Sequence, residues 1–205
     1  VSGPERPHRP VPLPHVPERL APTGPDPATL AEDRRAAAES FARTLLEAAS
    51  RGGDAQVDRL VRLADEVGLA DLDAAWRHAE SGTVAGGLRV LYLLQAWLRS
   101  RPDEAARLLA AGRVHADVAT TVLGLPAHAS PDDVCRLADD LVRGALARDL
   151  TAALHRGAAL CRVVAAGRGG SSGHDEAREP SEAVLGSRLL STADDLDAAA
   201  RAAER

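Results

Sequence analysis

From Thr29 onward apolar residues recur every three or four positions, the period of a helix with one buried face. Thr29 followed by Glu32 is a capping-box pattern, and Gly52 and Gly53 stop the stretch it opens, in which Leu30, Phe41, Leu45 and Ala48 or Ala49 form the stripe. Asp54 caps a second helix through Val57, Leu60, Val61, Ala64 and Val67, ended by Gly68, and a short third carries Leu72, Ala75, Trp76 and Ala79 as far as Gly82. Thr83 caps a fourth. Its segment Leu88 to Leu98 is apolar nearly all round, with Arg89 and Gln95 as the exceptions, which predicts a central position in the core.

Ser100, Pro102 and Asp103 open a fifth helix through Leu108 and Leu109 to Gly112, and a sixth runs from about His115 to Leu123, stopped by Gly124 and Pro126. Ser130, Pro131 and Asp133 then start a pattern that reaches Ala166, predicting one long spine. Gly144 and Gly157 inside it each cost about 1 kcal/mol against Ala, so a kink or a break is expected at one of them. No segment alternates apolar and polar residues with β-branched enrichment, so no strand is predicted.

The expected fold class is all-α, a single bundle of about seven helices over 29–167. It is flanked by a proline-rich tail over 1–28, a flexible linker over 168–180 and a tethered C-terminal helix over 181–205. Nine of the 13 prolines lie in the first 27 residues, where each fixes φ and removes an amide donor. PxxP spacings such as Pro14 to Pro17 suit an aromatic-lined groove on a partner; alternatively the tail is a disordered, flexible leader or a strap along the body. In the last helix Leu185, Leu189, Thr192, Leu196, Ala199 and Ala203 alternate four and three apart, which is heptad spacing. With Thr and Ala at half of that seam, docking on a larger groove or on its own domain is favoured over a free coiled coil. Leu185, Leu189 and Leu196 are the candidate partner-binding residues.

Composition adds mainly exclusions. The 205 residues are 45% hydrophobic and 27% charged, with a formal net charge of −5. Lys, Asn, Ile and Met do not occur, so all 25 basic residues are Arg. Those four residues share codons beginning AA or AT, which points to a GC-rich bacterial genome, and Val1 reads as a GTG start codon. Without Lys, Schiff-base chemistry and the phosphate-binding lysine of P-loop and kinase sites are excluded. The acidic balance and mixed signs along the chain argue against a nucleic-acid or anionic-membrane surface. No window approaches the roughly 18 apolar residues of a membrane span, and the N-terminus lacks a secretory apolar run. A cytoplasmic location follows as the expectation. Cys135 and Cys161, if on one continuous helix, stand about 39 Å apart and cannot pair.

Three segments are candidates for chemistry. Trp76 to Trp97 holds three of the four aromatic residues together with His78, Arg89, Tyr92 and Gln95, and these line a small-molecule pocket or, alternatively, pack as aromatic core around a satisfied Gln95. In the pocket reading His78 is the acid/base candidate. The turn SGTVAGG before the fourth helix lacks phosphate-cradle spacing. Asp103 to Leu123 reads as helix, turn, helix, but its second helix offers His115, Asp117, Thr120 and Thr121 and no Arg, Asn or Gln to pair with a base edge.

No HxxxH or ExxH pair falls on a predicted helix, and His155 with Asp149 or Cys161 does not converge on one helix, so no metal site, catalytic residue or cofactor is assigned. The leading expectation is a non-enzymatic interaction or regulatory protein with a protein partner or a homo-oligomeric state. A DNA-associated regulator and a ligand-binding helical protein are the alternatives.

Overall fold

The computed structural model describes residues 26–126, 128–147, 149–170 and 180–205. Among them there are nine α-helices and no strand: α1 Pro27–Val61, α2 Leu63–Val67, α3 Leu69–Ala75, α4 Val84–Ser100, α5 Pro102–Gly112, α6 Asp117–Leu123, α7 Pro131–Ala147, α8 Leu150–Gly170 and α9 Pro180–Ala203, with a 3₁₀ turn over Arg113–His115. The fold is all-α. The PxxP stretch lies outside the described residues, as does most of the expected linker.

α1 begins at Pro27, two residues before Thr29, because a proline in the first turn has its φ preset and no amide to leave unpaired. It is two helical halves meeting at Gly53, whose φ of 63° and ψ of −168° are non-helical. That is the stop the glycine pair predicted. Thr83 caps α4 as expected, its hydroxyl accepting from the Gly86 amide at 3.2 Å. α4 then runs through the centre and packs on α1, α3, α5, α7, α8 and α9, with Leu88, Leu91, Tyr92 and Leu98 fully buried.

The expected spine is not one helix. α7 opens with a reciprocal cap, in which the Ser130 amide donates to Asp133 at 2.8 Å and the Asp133 amide to the Ser130 hydroxyl at 3.2 Å. It ends at Ala147, and α8 starts afresh at Leu150 with its own cap, Asp149 accepting from the Ala152 amide at 2.9 Å. Neither glycine marks the break. Gly144 stays helical inside α7, and Gly157 sits inside α8 where a Cβ would stand 2.8 Å from Leu91 Cδ2 and 3.3 Å from Leu196 Cδ1. It is there for close packing. Cys135 and Cys161 consequently lie on different helices, and both thiols are free.

α8 extends to Gly170, three residues into the expected linker, and is buried on most of its circumference through Leu154, Ala158, Leu160, Cys161, Val163 and Val164. α9 returns antiparallel along it. The direction is set by His155 opposite Asp197, Arg162 opposite Asp194, and Arg168 opposite Glu182, in which rising numbers on α8 meet falling numbers on α9. The C-terminal helix therefore docks on its own domain, burying Ala193, Leu196, Ala199 and Ala200.

Candidate functional site: a groove between α6, α8 and α9

One strip of α8 lies at the bottom of an open groove, where α6 and α9 stand on either side of it. The strip consists of His155, Ala159, Arg162, Ala166 and Gly169, at alternating four and three residue steps, so it is one face of α8 about 21 Å long. α9 contributes Ala183, Gly186, Ser187, Leu190, Asp197 and Arg201, and α6 with its preceding turn contributes His115, Val118, Ala119 and Val122. The open groove holds about 1150 Å³. Ala159, Ala166 and Gly169 make parts of its floor small, between the larger His155 and Arg162.

The rim is aliphatic and bare. Val118 is 83% exposed, Leu190 49% and Val122 45%. Single exposed aliphatic residues are ordinary, but three of the eight large exposed ones among the described residues, Val118, Val122 and Leu190, line this groove.

The polar groups in the groove are already engaged within the chain. His155 Nδ1 lies 2.7 Å from Asp197 Oδ1, and Arg162 donates to Asp197 Oδ2 at 2.7 Å and to Asp194 at 3.1 Å. Burial alone would raise the Asp197 carboxyl, but the hydrogen bonds from Arg162 and His155 outweigh it and hold the group below the usual carboxylate range. Asp197 chiefly raises the Arg162 guanidinium in return. At the other end Glu182 accepts from Arg168 at 2.9 Å, and Glu104 also faces Arg168, at 3.4 Å. Arg201 is the one groove cation with no ion pair among the described residues. A His–Asp pair can orient an imidazole for proton transfer, yet no nucleophilic side chain among the described residues hydrogen-bonds to the His155 ring. No group of three metal-ligating side chains occurs among them either.

The residues singled out from sequence are distributed differently. Trp76, Tyr92 and Gln95 come together in the core: Trp76 is fully buried, its ring 5.0 Å from that of Phe41 and 5.7 Å from that of Tyr92. The Tyr92 hydroxyl donates to the Leu60 carbonyl at 2.7 Å, and burial pushes its pKa up. Gln95 Nε2 donates to the Val61 carbonyl at 3.0 Å and to Asp139 at 3.1 Å. Both side chains thus satisfy carbonyls that the end of α1 leaves open. Arg89 pairs with Asp73 at 2.7 Å, Trp97 packs half-buried on the core, and His78 is exposed in the turn after α3. Of the α9 residues, Leu196 is fully buried inside the chain, Leu189 packs partly against the core, and only Leu185 is exposed.

In the helix–turn–helix-like segment α6 has seven residues, and its outward edge carries Val118 and Val122 rather than cations. Thr120 is half-buried and His115 faces the groove.

What local reading missed is the convergence. Val118 and Val122 are four apart on α6, but the partner of His155 comes from α9, 42 residues away, and no local spacing signals it. Compared with protein-family models, with curated proteins and with solved structures, the chain matches none.

Proposed function

We propose that this chain is a non-enzymatic helical interaction protein and that the α6–α8–α9 groove is where it receives a helix of a protein partner. The observation that carries the reading is the bare aliphatic rim, Val118, Val122 and Leu190, beside the small floor residues Ala159, Ala166 and Gly169. Covering Val118 and Leu190 is worth roughly 1 to 2 kcal/mol each at the usual value of apolar burial. A helix laid in the groove brings no unsatisfied backbone group, because its own are paired internally. Of the α9 heptad seam read from sequence as partner-binding, Leu196 and in part Leu189 are engaged within the domain while Leu185 is exposed, and the groove lies on the opposite side of α9. Among the described residues no helix is long and apolar enough to cross a membrane. The two unpaired cysteines suit a reducing compartment, and the proposal places the protein in the cytoplasm.

The test is a comparative capture from cells that make the protein, using the tagged full chain and a Val118→Asp, Leu190→Asp variant whose circular dichroism matches it. A protein held by the first and lost by the second, an untagged copy of the chain included, supports the reading. Identical retained profiles would refute it.

A further inference from the structure

We propose that the chain binds an internal water molecule behind α6, held by the Thr120 hydroxyl, and that this water joins α6 to the turn after α5 and to the segment after Gly124. α6 uses different faces for the groove and for this site. Val118, Ala119 and Val122 line the groove, whereas Thr120 and Leu123 line a separate, smaller cavity together with Leu109, Arg113, Leu125 and Val163.

Two independent features of the molecule meet there. One is chemical: Thr120 Oγ1 is shielded from solvent and has no hydrogen-bond partner among the described residues. A hydroxyl left in that state forfeits its hydration, and buried polar groups in folded proteins are nearly always paired. The other is spatial: the cavity measures about 10 Å³, on the order of what a single water requires and too little for a metabolite.

A buried water also needs further polar neighbours. Arg113 donates to the Leu125 carbonyl at 3.3 and 3.4 Å, longer than an ordinary N–H···O bond, and to the Pro126 carbonyl. Arg113 and Leu125 both line the cavity, and bonds of that length leave the guanidinium and the carbonyl room for one more partner. A water in this place accepts from Thr120 and from Arg113 and donates to the Leu125 carbonyl, which pairs the hydroxyl and shares the long contact. A threonine inside a helix has one other recourse, turning its hydroxyl onto the carbonyl four residues back. Here that carbonyl belongs to Ala116 and already accepts from the Thr120 amide at 2.9 Å.

The experiment is magnetic relaxation dispersion of the solvent oxygen-17 signal on the full chain, which counts waters held for longer than the protein takes to tumble. It compares wild type with Thr120→Val, which keeps the side-chain shape and removes the hydroxyl, and with Thr120→Ser, which keeps the hydroxyl. Circular dichroism matching wild type establishes that each variant folds. The expected result is an amplitude lower by one water in Thr120→Val and unchanged in Thr120→Ser. Equal amplitudes in wild type and Thr120→Val, the outcome if the hydroxyl bonds to Ala116 instead, overturn the assignment. So does a wild-type profile with no long-lived water, a result that depends on no variant.

Discussion

Gly167 to Ala is the substitution on which helix propensity and tertiary packing disagree in sign. Gly167 lies inside α8, where replacing Gly by Ala gains about 1 kcal/mol of helix propensity. In the structure it faces Gly112 of α5, and the two backbones touch. A Cβ on Gly167 would stand 2.9 Å from the Leu108 carbonyl carbon and closer still to its oxygen, and one on Gly112 would stand 2.8 Å from the Val163 carbonyl carbon. Backbone atoms have no rotamer to escape into, so α5 and α8 must separate by about 1 Å to restore van der Waals distance.

Overpacking of this kind costs at the upper part of its range, about 3 kcal/mol, leaving a net loss of about 2 after the propensity gain. With m for urea near 2 to 3 kcal/mol/M, the unfolding midpoint should fall by somewhat under 1 M. Gly144 to Ala is the internal control. It also sits in a helix, but its Cβ would meet only Ala153 Cβ at 3.6 Å, an ordinary contact, so the same change should stabilise by roughly 0.5 to 1 kcal/mol. Urea titrations followed by far-UV circular dichroism on both variants decide the matter. A Gly167→Ala midpoint above wild type would refute the close-crossing argument.

Three further outcomes follow from buried polar groups. Gln95→Leu removes the donor to the Val61 carbonyl and to Asp139, and should cost about 1 to 3 kcal/mol in denaturant unfolding with m unchanged. The Asp197 carboxyl is depressed in the folded chain, so its contribution is present above the unfolded carboxylate range and lost as pH falls through the folded value. Asp197→Asn should therefore unfold more easily than wild type at neutral pH, with the gap closing in acid, and a gap that stays constant with pH would contradict the ion-pair account. The Cys161 thiol is buried and its pKa is pushed up to about 12 by desolvation, whereas Cys135 is half-buried. A thiol-reactive dye should label Cys135 in the native protein and Cys161 only on global unfolding.

Much of the architecture is legible along the chain because its signals are local. The glycine pair at 52 and 53 breaks α1, Thr83 starts α4, Ser130 with Asp133 starts α7, and the all-round apolar run from Leu88 to Leu98 lies at the centre. The break between α7 and α8 was harder to place, since Asp149 reads equally well as one more solvated acid in a long amphipathic helix. Gly112, Gly157 and Gly167 carry no local signal of their role, because a helical glycine costs the same propensity whether or not another backbone lies against it. Trp76, Tyr92 and Gln95 were legible as a cluster, but the Leu60 and Val61 carbonyls they serve come from another helix.

By itself, then, the sequence determined the helical class, most helix ends and the central place of α4, because capping, glycine punctuation and apolar period act over a few residues. The tertiary structure decided which helices meet. It turned α9 back onto α8 through Arg162 and Asp197, buried Leu196 inside the chain, and left one face of α8 open between two aliphatic edges. Those outcomes depend on shape and charge matching between segments tens of residues apart, which hydrophobic period does not encode.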